Sequence, residues 1–474
     1  MARPGTLTIL SVLLSAALVG AHLGPPAALS LSPEILKEKF TQELKDHDAI
    51  DILKKLPLIN AMRDEPAGGI PLIGGLVSSI LKYIVWLKVT SASILQLQVL
   101  PSSRSQEFVV RVPLDMVAGF NTPLVKTIVE MHMESEAQAT IGVETVGGQS
   151  RLVLKDCGSS QGSLRISLLG SFSFMVNTLG NKIISLLVPA LPKLVKSELC
   201  PVMKVAFEDL SADILGLIKA PISVGSDHLQ FHLLSTAIED KVIQLHLGAK
   251  LLDSQGKVTR WFNESKASLT TPALNGAPFS FAVRQDVVNA AIATVIPPEE
   301  LMILLDYVLP ELSHKLKASI KEISEKAAAE MGATKIVKVL LQESPDFFLE
   351  QDQAKVAQMV VLEVFATNQA RRPFFTLGIE ASSDVQFHTE GDQLIISFGD
   401  ISSDRIHLMN SGIGLFNPDL LKPIITELIN AILLPSENGK LRVGIPLSLV
   451  KGLGFQTASW ALTKDALVIT PASS

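Results

Sequence analysis

Hydrophobic residues recur along this chain with two different spacings, one typical of helices and one typical of strands, and both spacings occur in each half of the chain. Leu36, Phe40 and Leu44 repeat at four-residue spacing, which predicts an amphipathic helix over residues 33–56. Apolar and polar residues then alternate within 83–155, and this period of two predicts β-strands. A chain that combines both periods in each half is expected to adopt an α+β fold with more than one domain.

A second long helix is predicted over residues 177–199, where Leu179, Ile183 and Leu187 share one face and two prolines predict a kink. A short break follows near residue 220. Beyond it the pattern predicts helices at 285–296, 298–309, 312–331 and 418–434, and strands at 228–233, 242–247, 356–364, 374–380, 393–398, 441–449 and 467–470.

Apolar surface is the main indication of function. Hydrophobic residues make up 47% of the 474 residues and charged residues only 19%, which excludes extensive disorder. A net charge of −6 also excludes an electrostatic nucleic-acid binder. The apolar run 70–87 contains a proline, paired glycines and a lysine, so a globular segment is favoured over a membrane span. For any single apolar residue core packing is the better explanation, but the excess over the whole chain favours an apolar ligand.

The first 21 residues predict a secretory signal peptide rather than a membrane anchor, because the uncharged run 7–20 is short for a bilayer. Cleavage is expected after Ala21. In an oxidising compartment Cys157 and Cys200 are expected to form one disulfide, with two buried free thiols as the alternative. Asn263 begins an Asn-Glu-Ser sequon and is the predicted glycosylation site.

The sequence does not support a catalytic or metal site. Ser160 lies in a Gly-x-Ser-x-Gly match, but strand-like residues follow it, so a turn is favoured over a nucleophile elbow. His228 and His232 share a strand face with His246 placed on a neighbouring strand, yet acidic or thiol partners at ligand spacing are lacking. We therefore expect no enzyme activity, no metal and no cofactor.

Several long segments resemble one known family. They are KEKFTQELKDH at 37–47, GGIPLIGG at 68–75, PLDMVAGFNTPLVKTIVE at 113–130, GAKLLDSQGKVT at 248–259 and SSDRIHLMNSGIG at 402–414. From end to end the chain resembles the long PLUNC (palate, lung and nasal epithelium clone) proteins, within the bactericidal/permeability-increasing (BPI) protein fold family. Cys157 and Cys200 match the single disulfide typical of that family's N-terminal domain.

The resemblance implies an elongated boomerang of two BPI-like domains, each a highly curved antiparallel sheet wrapped on long helices, joined by a central sheet. The expected boundaries are a signal peptide at 1–21, an N-terminal domain at 22–225, a linker with central-sheet strands at 226–250 and a C-terminal domain at 251–474.

Members of the family bind phospholipid or bacterial lipopolysaccharide in apolar pockets. The resemblance therefore implies a secreted, non-enzymatic lipid-binding protein of airway, nasal or oral mucosal fluid that modulates innate immunity. Its lipid-pocket candidates are Leu36, Phe40, Leu44, Leu179, Ile183 and Leu187. Residues 22–225 carry 19 basic and 19 acidic residues, so bacterial killing by charge is not expected. A lipid-transfer protein and a surface-active mucosal structural protein are the alternatives.

Overall fold

The computed structural model describes residues 24–63, 80–104, 106–123, 127–159, 162, 164–265, 269, 273–332, 335–366 and 372–472. The chain divides into two compact units. Unit 1 takes in Met1–Leu29, Leu217–His232 and His246–Ser474, and unit 2 takes in Ser30–Gly216 and Leu233–Leu245. The predicted signal peptide, the GGIPLIGG segment and Ser160 lie outside the described residues.

The secondary structure alternates strands with helices throughout. The strands are β1 (Ala27–Leu31), β2 (Trp86–Ile94), β3 (Gln98–Pro101), β4 (Glu107–Asn121), β5 (Val129–Val146), β6 (Gln149–Ser159), β7 (Arg165–Leu169), β8 (Ile222–Val224), β9 (Asp227–Glu239), β10 (Val242–Leu252), β11 (Val258–Phe262), β12 (Phe279–Arg284), β13 (Glu299–Leu304), β14 (Lys335–Leu341), β15 (Asp346–Glu350), β16 (Gln353–Ala366), β17 (Phe375–Glu390), β18 (Gln393–Phe398), β19 (Ser402–Ser411), β20 (Ile445–Pro446), β21 (Ala458–Thr463) and β22 (Ala466–Pro471).

The helices follow the same chain order. They are α1 (Pro33–Asp46), α2 (Ala49–Lys54), α3 (Leu58–Arg63), α4 (Phe174–Leu194), α5 (Cys200–Lys219), α6 (Gln285–Val295), α7 (Leu305–Val308), α8 (Pro310–Ile323), α9 (Glu325–Glu330), α10 (Lys422–Leu441) and α11 (Ser448–Gly452). A π-helical turn at Val195–Leu199 joins α4 to α5, and a 3₁₀ turn at Pro418–Leu421 precedes α10.

Unit 2 is built on a six-stranded antiparallel sheet in the order β2-β4-β5-β6, with β3 paired to β4 and β7 to β5. Alternate residues of β4, such as Phe108, Val110 and Val112, are buried because successive side chains point to opposite faces. Helix α1 packs its apolar stripe into the same core, where Phe40 meets Phe207 of α5 edge to face at 5.8 Å. Each fully buried side chain of this size contributes about 1.5–3 kcal/mol.

Helices α4 and α5 form one continuous helical element, Phe174–Lys219, of 46 residues. By length and composition alone this element qualifies as a candidate membrane span. One face of it is buried in unit 2 through residues such as Ile183, Leu187 and Leu199, as in an amphipathic helix packed on the core of a domain.

Two further antiparallel sheets complete the fold. One has the order β13-β14-β16-β17-β18-β20, with β15 paired to β16 and β19 to β17. The other has the order β21-β22-β12-β1-β10-β9-β8, with β11 paired to β10. Helix α10 packs an apolar face that includes Ile425, Leu428 and Leu433 into unit 1. The prediction of antiparallel sheets with long apolar-faced helices is therefore confirmed.

Several local predictions are confirmed. Ser32 caps α1, because its side chain accepts a hydrogen bond from the Ile35 N–H at 3.4 Å. The strand predicted at 393–398 matches β18, and the helix predicted at 285–296 matches α6 within one residue.

Other boundaries were wrong for identifiable reasons. The helix predicted over 33–56 breaks at Asp48, whose φ of 52° is left-handed. The second helix continues to Lys219 rather than ending at 199. Residues 298–309 form strand β13 and the short α7, because Glu299–Leu304 pairs with β14. The strand predicted at 441–449 is reduced to the two residues of β20, since α10 runs to Leu441 and α11 begins at Ser448.

Candidate functional site

A cleft of about 550 Å³ lies within unit 2. Strand β6 and helix α5 form its walls, and residues of β9 and β10 complete it. Its apolar lining consists of Leu152, Val153, Leu154, Ile214, Leu215, Leu233 and Leu245. The volume falls in the range of about 300–1,000 Å³ that is usual for small-molecule sites.

Charged residues accompany this apolar lining. Arg151, Lys155 and Lys204 supply three positive charges, against two negative charges from Glu144 and Glu208. Lys204 and Glu208 stand 4.0 Å apart as an exposed pair one helical turn apart, so their attraction is weak. The cleft therefore combines an apolar surface with a small excess of positive charge.

The predicted disulfide between Cys157 and Cys200 is present in the structure. It joins strand β6 to helix α5, the two walls of this cleft. Cys157 follows the lining residue Lys155 by two positions on β6, and Cys200 lies one helical turn before Lys204 on α5. The bond therefore fixes the spacing of strand and helix at one end of the cleft.

Unit 1 contains a second apolar site made of two neighbouring cavities. One is a narrow space of about 60 Å³ with an almost wholly apolar lining, and the other measures about 410 Å³. The two share Leu394, Ile396 and Ile445. Lys440 is the single charged residue of the larger lining, and Glu299 already pairs with it.

The six lipid-pocket candidates from the sequence are all buried side chains of the unit 2 core. They are Leu36, Phe40 and Leu44 on α1 and Leu179, Ile183 and Leu187 on α4, none more than 7% exposed. They do not line the cavities described above. Their role in binding stays a prediction. The lining of the unit 2 cleft carries no distinguishing sequence signal, because a leucine beside a cavity and a leucine in a core have the same periodicity.

The remaining sequence candidates do not assemble into a catalytic centre. Within the described ranges no three His, Cys, Asp or Glu side chains converge as metal ligands. His232 instead packs against Trp261 at 5.9 Å, and burial together with the charge of Lys250 lowers its pKa. Asn263 is exposed directly after strand β11.

Two buried polar groups in unit 1 were not foreseen. Lys335 is 3% exposed, and its ammonium group donates to Asp306 and Ser313 at 2.8 Å each. Partial burial raises the pKa of Asp306, but hydrogen bonds from Lys335 and Ser313, with the Lys335 charge, hold it below its usual value overall. Glu437 is fully buried, and desolvation raises its pKa to about 8.

Two sequence profiles match the chain, both from the LBP / BPI / CETP family. The profile of the N-terminal domain covers residues 43–211 and that of the C-terminal domain covers 327–470. The chain belongs to this family, whose members are non-enzymatic lipid-binding proteins.

Individual relatives agree with this assignment. BPI fold-containing family B member 1 of Homo sapiens is 62% identical over all of this chain and 98% of the relative, and the Mus musculus protein of the same name is 51% identical over the full length of both. Among solved structures, the crystal structure of lipopolysaccharide binding protein superposes with a TM-score of 0.52 at 12% identity, covering 95% of this chain and 99% of that one. This last likeness concerns the fold alone.

Proposed function

We propose that this protein is secreted into mucosal fluid, binds bacterial lipopolysaccharide or phospholipid in its apolar cavities and thereby modulates the host response. The observation that carries the proposal is the unit 2 cleft, where an apolar lining adjoins Arg151, Lys155 and Lys204. Family membership supports the same ligand class, and a structure with the same fold is that of a lipopolysaccharide binding protein.

The size of the cleft fits part of such a ligand. A methylene group takes about the volume of a liquid water molecule, roughly 30 Å³. A cleft of about 550 Å³ then accommodates one acyl chain of roughly 18 carbons. Ten buried methylenes would contribute about 8 kcal/mol before the costs of binding. The basic side chains would receive the phosphate of the headgroup through charge-assisted hydrogen bonds.

The decisive experiment blocks the cleft without disturbing the core. Ala212 lies exposed on α5 and lines the cleft, so Ala212→Trp places an indole ring in the space that the ligand would occupy. Val205→Trp is the matched control, because Val205 is exposed on the same helix and lies outside the lining. For both variants, co-purified lipid would first be removed by extraction. Binding of added lipid A and of added phosphatidylglycerol would then be measured by native mass spectrometry.

We expect Val205→Trp to bind lipid as the parent protein does. Ala212→Trp should bind lipid with at least tenfold lower affinity than the parent. Equal retention by both variants would exclude the unit 2 cleft as the binding site. A parent protein that carries no lipid after secretion and takes up none afterwards would contradict lipid binding altogether.

A further inference from the structure

The predicted glycosylation sequon lies in a rigid part of unit 1. The backbone of Gly24 pairs with Ser265 through hydrogen bonds of 2.7 and 3.1 Å, and the Arg284 guanidinium donates to the Asn263 carbonyl at 2.9 Å. Arg284 is itself 3% exposed and paired with Asp286 at 2.7 Å. The backbone that carries the Asn263 side chain therefore has little freedom to move.

An exposed tryptophan stands two residues before this asparagine. Trp261 is 56% exposed, whereas Phe262 between the two is buried. Asn263 follows directly after the last residue of β11, so the exposed Trp261 and Asn263 side chains lie at the same end of this strand, with the buried Phe262 between them. Residues two apart along an extended chain are about 7 Å apart, which is within reach of a sugar ring.

The indole ring is also held in place. Lys250, its cross-strand partner, lies 5.5 Å from the ring centroid, and His232 meets the ring nearly perpendicularly at 5.9 Å. Gly248 makes room for this imidazole, because a Cβ there would lie 2.4 Å from the His232 ring. A ring fixed in this way loses little conformational entropy when a further group packs on it.

We propose that Asn263 carries an N-linked glycan whose first N-acetylglucosamine packs against the Trp261 ring. The apolar C–H face of the sugar would cover exposed aromatic surface, and its position is restricted because the Asn263 backbone and the Trp261 ring are both held in place. Trp261 thus acts as an intramolecular carbohydrate platform that couples the glycan to the stability of unit 1. The inference requires passage through the secretory route but is independent of lipid binding.

A double-mutant cycle on the full secreted chain tests the coupling. Asn263→Gln, Trp261→Ala, the double variant and Trp261→Phe would be produced in cells that make endoglycosidase H-sensitive glycans, and occupancy would be checked by intact mass. The sequence contains a single Asn-x-Ser/Thr sequon, so enzymatic trimming to one sugar acts at this site alone. The readout is the melting temperature.

We expect Asn263→Gln and Trp261→Ala each to lower the melting temperature by about 2–4 °C, as an interaction of ordinary strength would in a domain of this size. The double variant should have a melting temperature no lower than that of the less stable single variant. Trimming the glycan to one sugar should preserve the melting temperature of the parent. Trp261→Phe should retain most of the stabilisation by the glycan. Additive effects in the double variant, or an unoccupied Asn263, would overturn the proposal.

A second measurement does not depend on stability. In a Trp86→Phe/Trp460→Phe background, Trp261 is the only tryptophan that remains of the three in the chain. Its quenching by acrylamide should increase when Asn263→Gln removes the glycan and stay low when a single sugar is left. Identical quenching in the two forms would contradict contact between sugar and ring.

Discussion

Burial of Glu437 predicts that unit 1 loses stability as the pH rises. The side chain lies on α10 and is fully buried, and within the described chain neither carboxylate oxygen has a hydrogen-bond partner. Desolvation is the main cause of its raised pKa; the nearby amide of Gln358 offsets part of the rise, although no hydrogen bond of normal geometry joins the two. Glu299 raises the pKa further, and Lys440 lowers it.

The magnitude follows from proton linkage. The pKa of Glu437 rises from an ordinary 4.5 to about 8 in the folded protein. Between these values the folded chain holds a proton that the unfolded chain has released, so the free energy of unfolding falls as pH increases. A pKa difference of about 3.5 corresponds to a loss of about 5 kcal/mol by pH 8, at about 1.4 kcal/mol for each pH unit. Above pH 8 the titration of Glu437 lowers the free energy of unfolding no further.

Glu437→Gln removes this titration and provides the test. Urea unfolding of the parent and the variant would be compared at pH 4.5, 6, 7 and 8. We expect the free energy of unfolding of Glu437→Gln, relative to that of the parent, to increase steadily over this pH range. Glu427→Gln is the control, because Glu427 lies on the same helix in an exposed pair with Lys315 at 2.7 Å and should change stability by less than about 1 kcal/mol. A difference between parent and Glu437→Gln that does not vary with pH would refute the reasoning.

Three further outcomes are expected. Replacing Cys157 and Cys200 by alanine opens a loop with a sequence separation of 43 and should lower the stability of unit 2 by about 4 kcal/mol; an unchanged melting curve would contradict this. Lipid affinity at the cleft beside Arg151 should change only a few-fold between low and high salt, since the local charge excess is small; a steep fall in a fluorescence titration would show that charge dominates. Asp306→Ala leaves the Lys335 ammonium buried without its carboxylate and should cost about 3–5 kcal/mol in urea unfolding, whereas adding Lys335→Met should restore much of the loss.

The elements that could be predicted from sequence are those whose local pattern and tertiary role agree. Helix α1 has a capping serine and a regular apolar stripe, so its start was placed correctly. A helix was wrongly predicted over residues 298–309 because the spacing of Leu301, Leu304 and Leu305 is typical of a helix. Pairing of Glu299–Leu304 with β14 makes this segment a strand instead. Such pairing depends on residues distant in sequence and leaves no local signal.

The candidate site was less accessible to sequence reasoning than the fold. The predicted pocket residues were chosen from apolar helix faces, and those faces fill the core. The cleft instead lies where Ile214 and Leu215 of α5 meet β6, β9 and β10, and a cavity depends on the spacing of these elements rather than on residue type. Glu437 was missed for a related reason, since a glutamate near a helix end is ordinarily exposed.

The placement of β1 has a consequence for biosynthesis. All five residues of Ala27–Leu31 are buried, and the strand lies between β12 and β10 in the interior of its sheet. The ribosome makes Val242–Leu252 and Phe279–Arg284 long after this strand has emerged. An apolar segment must therefore remain unpaired through much of translation, and closure of the sheet depends on contacts between distant parts of the chain, which form slowly. The first strand of this sheet to be synthesised therefore cannot pair with its neighbours until both β10 and β12 have been made.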